Sequence, residues 1–530
     1  MAVGIILLFI GITIIPLNGQ KIEKLALTIS RSNTLYVGGS GPGNYTKIQD
    51  AIDNASDGDT VFVYHGMYRE CNISVDKGIT LLGENKTTTH IDGRGYLVIF
   101  FINVSNVTVR NFTLVNTSGS GFGQAILIEN WPYHPGRFEN FNISDCIITN
   151  DDKGIYFTAV TNISISSCYI HHNTAQSIIA ESSSNIQITN CIINNNGIDL
   201  GGGMSRGGSI YFVGGDSNIT ISNCVIHHLI GPGIFVQASY CHKIHVYQNL
   251  IYNNSDGLTL TGWNPTNTEV DVDHNSIYGN SNSGIVVEAI GTPGARIHDN
   301  NISRNGPETN MTGFEAGINV WKCPNPVTIE NNTLFNNNVN GMEIMFSSGV
   351  IITRNKIIGA HKTGINVWSE CNNTTIRQNI FQKNQEEGLY DNSCNSNISW
   401  NDFSNNAIGS VIGGTGTVFY RNEISNNSVG IRVLGYNQVT NNSTTSTHAR
   451  IVCNNFLDNK KDASFEYQSC LPKRTENIID NNFWGKARIF IKPIFGRLIF
   501  FVHILRLSWI EIPWVCFDKN PAQKPFDIPG

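Results

Sequence analysis

The chain is short of charge. Only 14% of its 530 residues are Asp, Glu, Lys or Arg, and the formal net charge is −6. No basic stripe is available to hold a phosphate backbone, which excludes a nucleic-acid partner. Helix formers at a 3.6-residue spacing are also scarce, which excludes a helical bundle. Methionine is rare, six in all, and none lies near a histidine pair, so the soft thioether ligands that suit copper are missing. No charge-free apolar run reaches the length of a membrane span. What abounds is Gly, 51 residues of it, together with Asn, Ser, Thr and β-branched aliphatics. These are the residues of short strands joined by tight bends. A chain of this length is too long for one ordinary compact domain, but a solenoid grows by stacking and remains one domain.

A repeat accounts for that composition. An aliphatic or aromatic residue is followed by two free positions, then Asn or Cys, one free position, and Ile, Leu or Phe. The first copies carry Cys146, Cys168, Cys191 and Cys224; later ones carry Asn249, Asn275, Asn300, Asn332, Asn355, Asn379, Asn401, Asn422, Asn454 and Asn481. Copies recur about every 21 to 27 residues, with a few steps of about 32 or 33, as expected for turns of a β-solenoid. We read these residues as one stacked structural ladder at a coil corner, the cysteines as buried free thiols. Each repeat has a second strand opened by Gly and an aliphatic residue, as at Gly284-Ile285, Gly317-Ile318, Gly341-Met342 and Gly364-Ile365. Glycine there predicts a bend with unusual φ. Two insertions, Asn196 to Gly207 and Gly306 to Ala316, fall in the same connection of their coils, the pattern of a working edge.

The ends differ from the repeat. Residues 1–19 hold an apolar run from Ala2 to Leu17 that reads as a secretory signal peptide or an N-terminal anchor, so an extracellular or cell-surface location is expected. Apolar residues at Ile48, Ala51, Ile52 and Ala55 predict a helix over about 45–55 that caps the solenoid. The solenoid itself is expected over 33–485. Residues 486–530 lose the period and read as a closing segment of strands and loop, with a membrane-contacting hairpin as the alternative for the apolar stretch from Ile489 to Val515.

The ladder motif, the Gly-opened strands and the leading segment with Ile48, Ala51, Ile52, Gly58, Thr60, Val61, Gly66 and Tyr68 resemble the right-handed parallel β-helix repeat proteins of the pectin-lyase-like superfamily, especially NosD-like and archaeal cell-surface members. The resemblance implies an all-β, single-stranded right-handed parallel β-helix of about fifteen coils, roughly 70 Å long at the usual strand spacing. It leaves function open, because members include polysaccharide lyases, glycoside hydrolases, adhesins, surface proteins and a periplasmic factor linked to copper-enzyme maturation. The hydrolase branch implies clustered aspartates with a Gly-His-Gly motif. Asp151-Asp152 and Asp256 are present but Gly-His-Gly is not, so these aspartates read as polar turn residues.

The outer side of the Gly-opened strands carries the candidate site. Strand alternation turns Asn319, Trp321, Asn366 and Trp368 outward, with Glu343 and Met345 on the coil between and Glu288 one coil earlier. Aromatic faces flanked by amides and carboxylates suit sugar rings. Glu288 and Glu343 are expected about 10 Å apart, near the upper end for an inverting glycosidase pair. The first reading is therefore an exported, non-catalytic cell-surface protein binding carbohydrate (polysaccharide or a cell-envelope glycan) or another surface component; the alternatives are a polysaccharide-cleaving enzyme, hydrolase or lyase, and a NosD-like periplasmic metal-maturation factor. His171-His172 and His227-His228 are two coils apart, too far to share an ion. No cofactor is expected: neither calcium nor copper has a motif. Cys371 and Cys394 share a corner of consecutive coils and could form a disulfide between them. Sequons such as those at Asn142 and Asn218 arise from composition.

Overall fold

The computed structural model describes residues 32–528, apart from 119–121, 130–137, 202–203, 238–240, 263–267, 292, 309–314, 437–447, 470–476, 488–489 and 502–508. The apolar run from Ala2 to Leu17 lies outside the described residues. The rest winds into a right-handed parallel β-solenoid of about sixteen turns, built from three parallel sheets. Sheet I carries the strands before each ladder residue, sheet II the three-residue strands after it, and sheet III the Gly-opened strands. Val, Ile, Leu and Phe from all three fill one continuous interior, and strand alternation sends the intervening residues outside.

The bend before each ladder residue is made without glycine. The residue before each ladder position takes a left-handed backbone: Gln248, His274, Asp299, Asn331, Arg354, Gln378, Trp400, Arg421 and Cys453 all have φ between 52° and 61°. The ladder side chain then secures the bend. In Asn355, Nδ2 donates to Ile329 O (2.8 Å), Thr353 O (3.0 Å) and Asn379 Oδ1 (3.1 Å), while Oδ1 accepts from Asn332 N (2.9 Å) and Nδ2 (3.0 Å). The last rung departs from expectation. Asn481 is the left-handed residue (φ 53°), and Asn482 is the residue bonded to Asn454, its Oδ1 3.0 Å from Asn454 N. Asn481, with Phe483 two residues on, fits the motif, whereas Asn482 has Trp484 there; the pairing of Ile479 with Ile451 nevertheless makes Asn482 the rung.

A second amide ladder lies five residues further on, at the corner between sheets II and III. Asn254, Asn280, Asn305 and Asn337 form one run, and Asn384, Asn406, Asn427 and Asn459 another, each Oδ1 accepting the backbone N–H of the preceding rung within 2.8–3.2 Å. Leu229 and Ala360 occupy rungs without an amide.

The glycines opening sheet III do not serve an unusual φ. None of Gly284, Gly317, Gly341, Gly364 and Gly388 has a positive φ. A Cβ on Gly364 would instead lie 2.4 Å from Gly388 O, and one on Gly341 2.4 Å from Gly364 O. Close approach of stacked coils is the reason for glycine here.

The expected cap helix over 45–55 is not what the described residues contain. Only Ile48–Asp53 is helical, about 9 Å long, and it buries Ile48, Ala51 and Ile52 against the first strands. Its Gln49 amide accepts from Ser74 N (2.8 Å) and donates to Ser74 O (3.2 Å), pairing with a strand edge. At the other end Lys492–Phe501 adds parallel to sheet III and Trp509–Asp518 adds antiparallel beside it. The insertion after Asn196 forms a hairpin of Gly197–Gly201 and Met204–Gly207; much of that after Gly306 lies outside the described residues. No helix among the described residues is long and apolar enough to cross a membrane.

Cys371 and Cys394 are free thiols. Register pairs Cys394 with Asn372, so neighbouring positions send the two sulfurs different ways. Cys371 turns inward and its thiol donates to Ile344 O (3.4 Å), whereas Cys394 is partly exposed. The ladder thiols Cys146, Cys168, Cys191 and Cys224 are likewise free and buried.

Candidate functional site

The outer columns of sheet III follow from its register. One runs Val286, Asn319, Glu343, Asn366, Tyr390; the next runs Glu288, Trp321, Met345. Trp368 follows the strand Ile365–Val367, and its backbone N–H donates to Ile344 O (3.1 Å).

Glu343 is the centre. Its strand, Asn340–Met345, is buried along its whole length, and Glu343 itself is 0% exposed although it points away from the solenoid interior. Three side-chain N–H groups meet its carboxylate: Asn340 Nδ2 donates to Oε2 (2.6 Å), Asn366 Nδ2 to Oε1 (2.9 Å), and the Trp368 indole N–H also to Oε1. Burial pushes the Glu343 carboxyl up to about 7, although the Trp368, Asn340 and Asn366 donors and Lys362 pull it down. Trp368 is thereby fixed in one orientation, half-buried, and Trp321, also half-buried, carries Lys322 Nζ 4.3 Å from its ring centre. Met345 is buried beside it.

The expected residues divide. Glu343, Asn366 and Trp368 form one hydrogen-bonded group, Asn319 is the register neighbour of Glu343, and Met345 that of Trp321. Glu288 stands apart. It lies two coils from Glu343 and in the other column, on a diagonal of roughly 12 Å, and accepts from Thr261 Oγ1 (3.1 Å). Glu288 and Glu343 therefore do not face each other in one column, the arrangement that the expected spacing of about 10 Å assumed. Asn340 belongs to the group but was not anticipated. The missed signal was its position, three residues before an outward carboxylate and directly before the glycine of its strand.

The aspartates singled out in the sequence are turn residues. Asp151 Oδ1 accepts Thr117 N (2.8 Å), Asp152 Oδ2 accepts Gly123 N (3.1 Å) and Asp256 Oδ1 accepts Ser283 N (2.9 Å). The histidine pairs lie on sheet II, His171 and His227 separated by the coil of Asn194. Within each pair the two Nδ1 atoms are 2.7 Å and 2.6 Å apart. The described residues that could share a metal ion are elsewhere, on the outer face of sheet I: His245, Asp271 and Asp273.

A family model described as "Right handed beta helix region" matches residues 97–271, 265–381 and 348–491. The chain belongs to this right-handed β-helix family. No curated protein matches the chain. Among solved structures this β-helix is similar to the A-module of mannuronan C-5 epimerase AlgE4 from Azotobacter vinelandii, at 15% identity over 75% of this chain and 97% of that one, with a TM-score of 0.37. It is also similar to a polygalacturonase from Erwinia carotovora ssp. carotovora, at 12% identity over 64% of this chain and 94% of that one, with a TM-score of 0.40. The Agl-KA catalytic domain is similar at 13% identity, covering 67% of this chain and 66% of that one, with a TM-score of 0.43.

Proposed function

We propose that this β-helix is an exported protein that binds carbohydrate on the outer face of sheet III, with Trp321 and Trp368 as its ring platforms. The observation that carries the reading is the bond from the Trp368 indole N–H to the buried Glu343 carboxylate. An aromatic ring held in one orientation pays little entropy on meeting a ligand, and amides such as Asn319 and Asn366 beside it match hydroxyl edges. In this reading Glu343 is a positioning residue.

The test is a screen of the purified protein against polysaccharides, followed by Trp321→Ala and Trp368→Ala on any ligand found. Each substitution is expected to weaken binding about fivefold or more, since one ring–sugar contact contributes about 1 kcal/mol or more. Undiminished binding in the double variant would refute the platform.

A second reading, polysaccharide cleavage on the same face, has its own support. A carboxyl held near 7 is what a general acid at neutral pH requires. Reducing-end or unsaturated products that disappear in Glu343→Gln would favour it over simple binding.

A further inference from the structure

The outer face of sheet I brings together three histidines and three aspartates that the sheet III site does not use. Strands His242–Tyr247, Thr268–Asp273 and Pro293–His298 stack in consecutive coils, with His245 beside Asp271 and Asp273 beside His298. His245 Nε2 lies 2.6 Å from Asp273 Oδ1, and His298 Nε2 lies 2.9 Å from Asp271 Oδ1. One ligand atom from each of His245, Asp271 and Asp273 falls within 4.8 Å of the other two. A single ion at about 2.0–2.2 Å from each can bridge that spacing after small side-chain rotations.

The surroundings orient these groups. His298 Nδ1 lies 2.6 Å from Asp299 Oδ2, which directs Nε2 toward Asp271. An imidazole whose far nitrogen is held by a carboxylate is the usual second layer of a metal site. His274 Nδ1 lies 2.6 Å from the other oxygen of Asp273, and the Tyr247 ring stacks on His245 at 4.3 Å. One cation opposes an ion here: Arg296 NH1 is 3.1 Å from His298 Nε2. Glu330 draws that guanidinium the other way, at 3.6 Å, and also meets Arg354. Carboxylates still outnumber guanidinium groups, and all the ligands stand on strands of one rigid sheet.

We propose that His245, Asp271 and Asp273 bind one divalent transition cation, zinc in type, with His298 as a fourth ligand. Imidazole with carboxylate, and no thiolate, suits zinc and its first-row neighbours, whereas calcium and magnesium prefer oxygen alone. The ion ties three consecutive coils together on the outside, and histidine–aspartate pairing alone holds the same residues when it is absent.

The test is calorimetric titration of zinc into the full-length protein after chelator treatment. One site per chain is expected, with His245→Ala and Asp273→Asn each weakening it at least about tenfold and His172→Ala with His228→Ala leaving it unchanged. Calcium is expected not to compete. No saturable zinc, unchanged binding in the His245→Ala/Asp273→Asn double variant, loss of binding in the His172→Ala/His228→Ala variant, or equal competition by calcium would each overturn the assignment. Should the sheet I variants fail to fold, the cobalt(II) spectrum of the unmutated protein decides. Visible bands of an imidazole-containing site, displaced by zinc, support the proposal, and an aqua-ion spectrum overturns it.

Discussion

Glu343 faces outward from its strand and is nevertheless out of reach of water, so its proton equilibrium reports on folding. Its folded carboxyl titrates near 7 because burial outweighs the three N–H donors, while an unfolded glutamate titrates near 4.3. The folded state therefore holds a proton that the unfolded state has lost between those values. This contribution to stability is complete below about pH 4.3 and is lost as pH rises through 7; fully expressed it amounts to about 4 kcal/mol. Glu343→Gln is expected to flatten the pH dependence of denaturant midpoints between about pH 4.5 and 7. An unchanged slope would mean that another group carries it. Strand alternation made the outward direction of Glu343, Asn366 and Trp368 legible in the sequence. Their mutual hydrogen bonds were not legible, because they depend on rotamers chosen across two adjacent coils.

At the scale of the element, the coil corner is a shared object. The Asn355 side chain makes five hydrogen bonds, within its own coil and to the coils on either side. Asn355→Leu strands several buried backbone and amide groups, so a loss of about 3–5 kcal/mol is expected from chemical denaturation. A loss below about 1 kcal/mol would count against the ladder as a source of stability. The second ladder should be less demanding, because the chain already places Leu229 and Ala360 on its rungs. Asn384→Ala is expected to cost less than Asn355→Leu under the same conditions. The first ladder was legible because flanking aliphatics mark it. The second went unread although it stands five residues from the first in coil after coil, since Asn is common everywhere in this chain and no apolar bracket singles it out. The Asn481–Asn482 doublet shows the limit of pattern alone: the motif picks Asn481, and pairing with the previous coil makes Asn482 the rung.

The whole molecule depends on how its ends are finished. The hairpin of Lys492–Phe501 and Trp509–Asp518 covers the last strand edge of sheet III, and Asp518 Oδ2 accepts Asn482 N (3.1 Å) and the Trp484 indole N–H (2.9 Å), ending the first ladder on a carboxylate. That hairpin keeps Phe495 (64%) and Trp514 (53%) at the surface. Deleting residues 490–518 would bare the edge of Lys461–Ser469 and leave the last rung without its acceptor. Concentration-dependent association in light scattering and a lower melting temperature are expected; a monomer of unchanged stability would show that the hairpin is dispensable.

The sequence by itself determined the coil: its period, which side chains face inward, and where most corners fall. These follow from local rules of alternation and bend chemistry that each repeat states again. Tertiary structure decided which outward side chains meet. His245, Asp271 and Asp273 come together because adjacent coils bring residues some 26 apart along the chain to within one strand spacing, about 4.8 Å. Glu343 became buried because an indole one coil away turned onto it. Such contacts depend on particular side chains and not on the repeat, so no periodicity announces them.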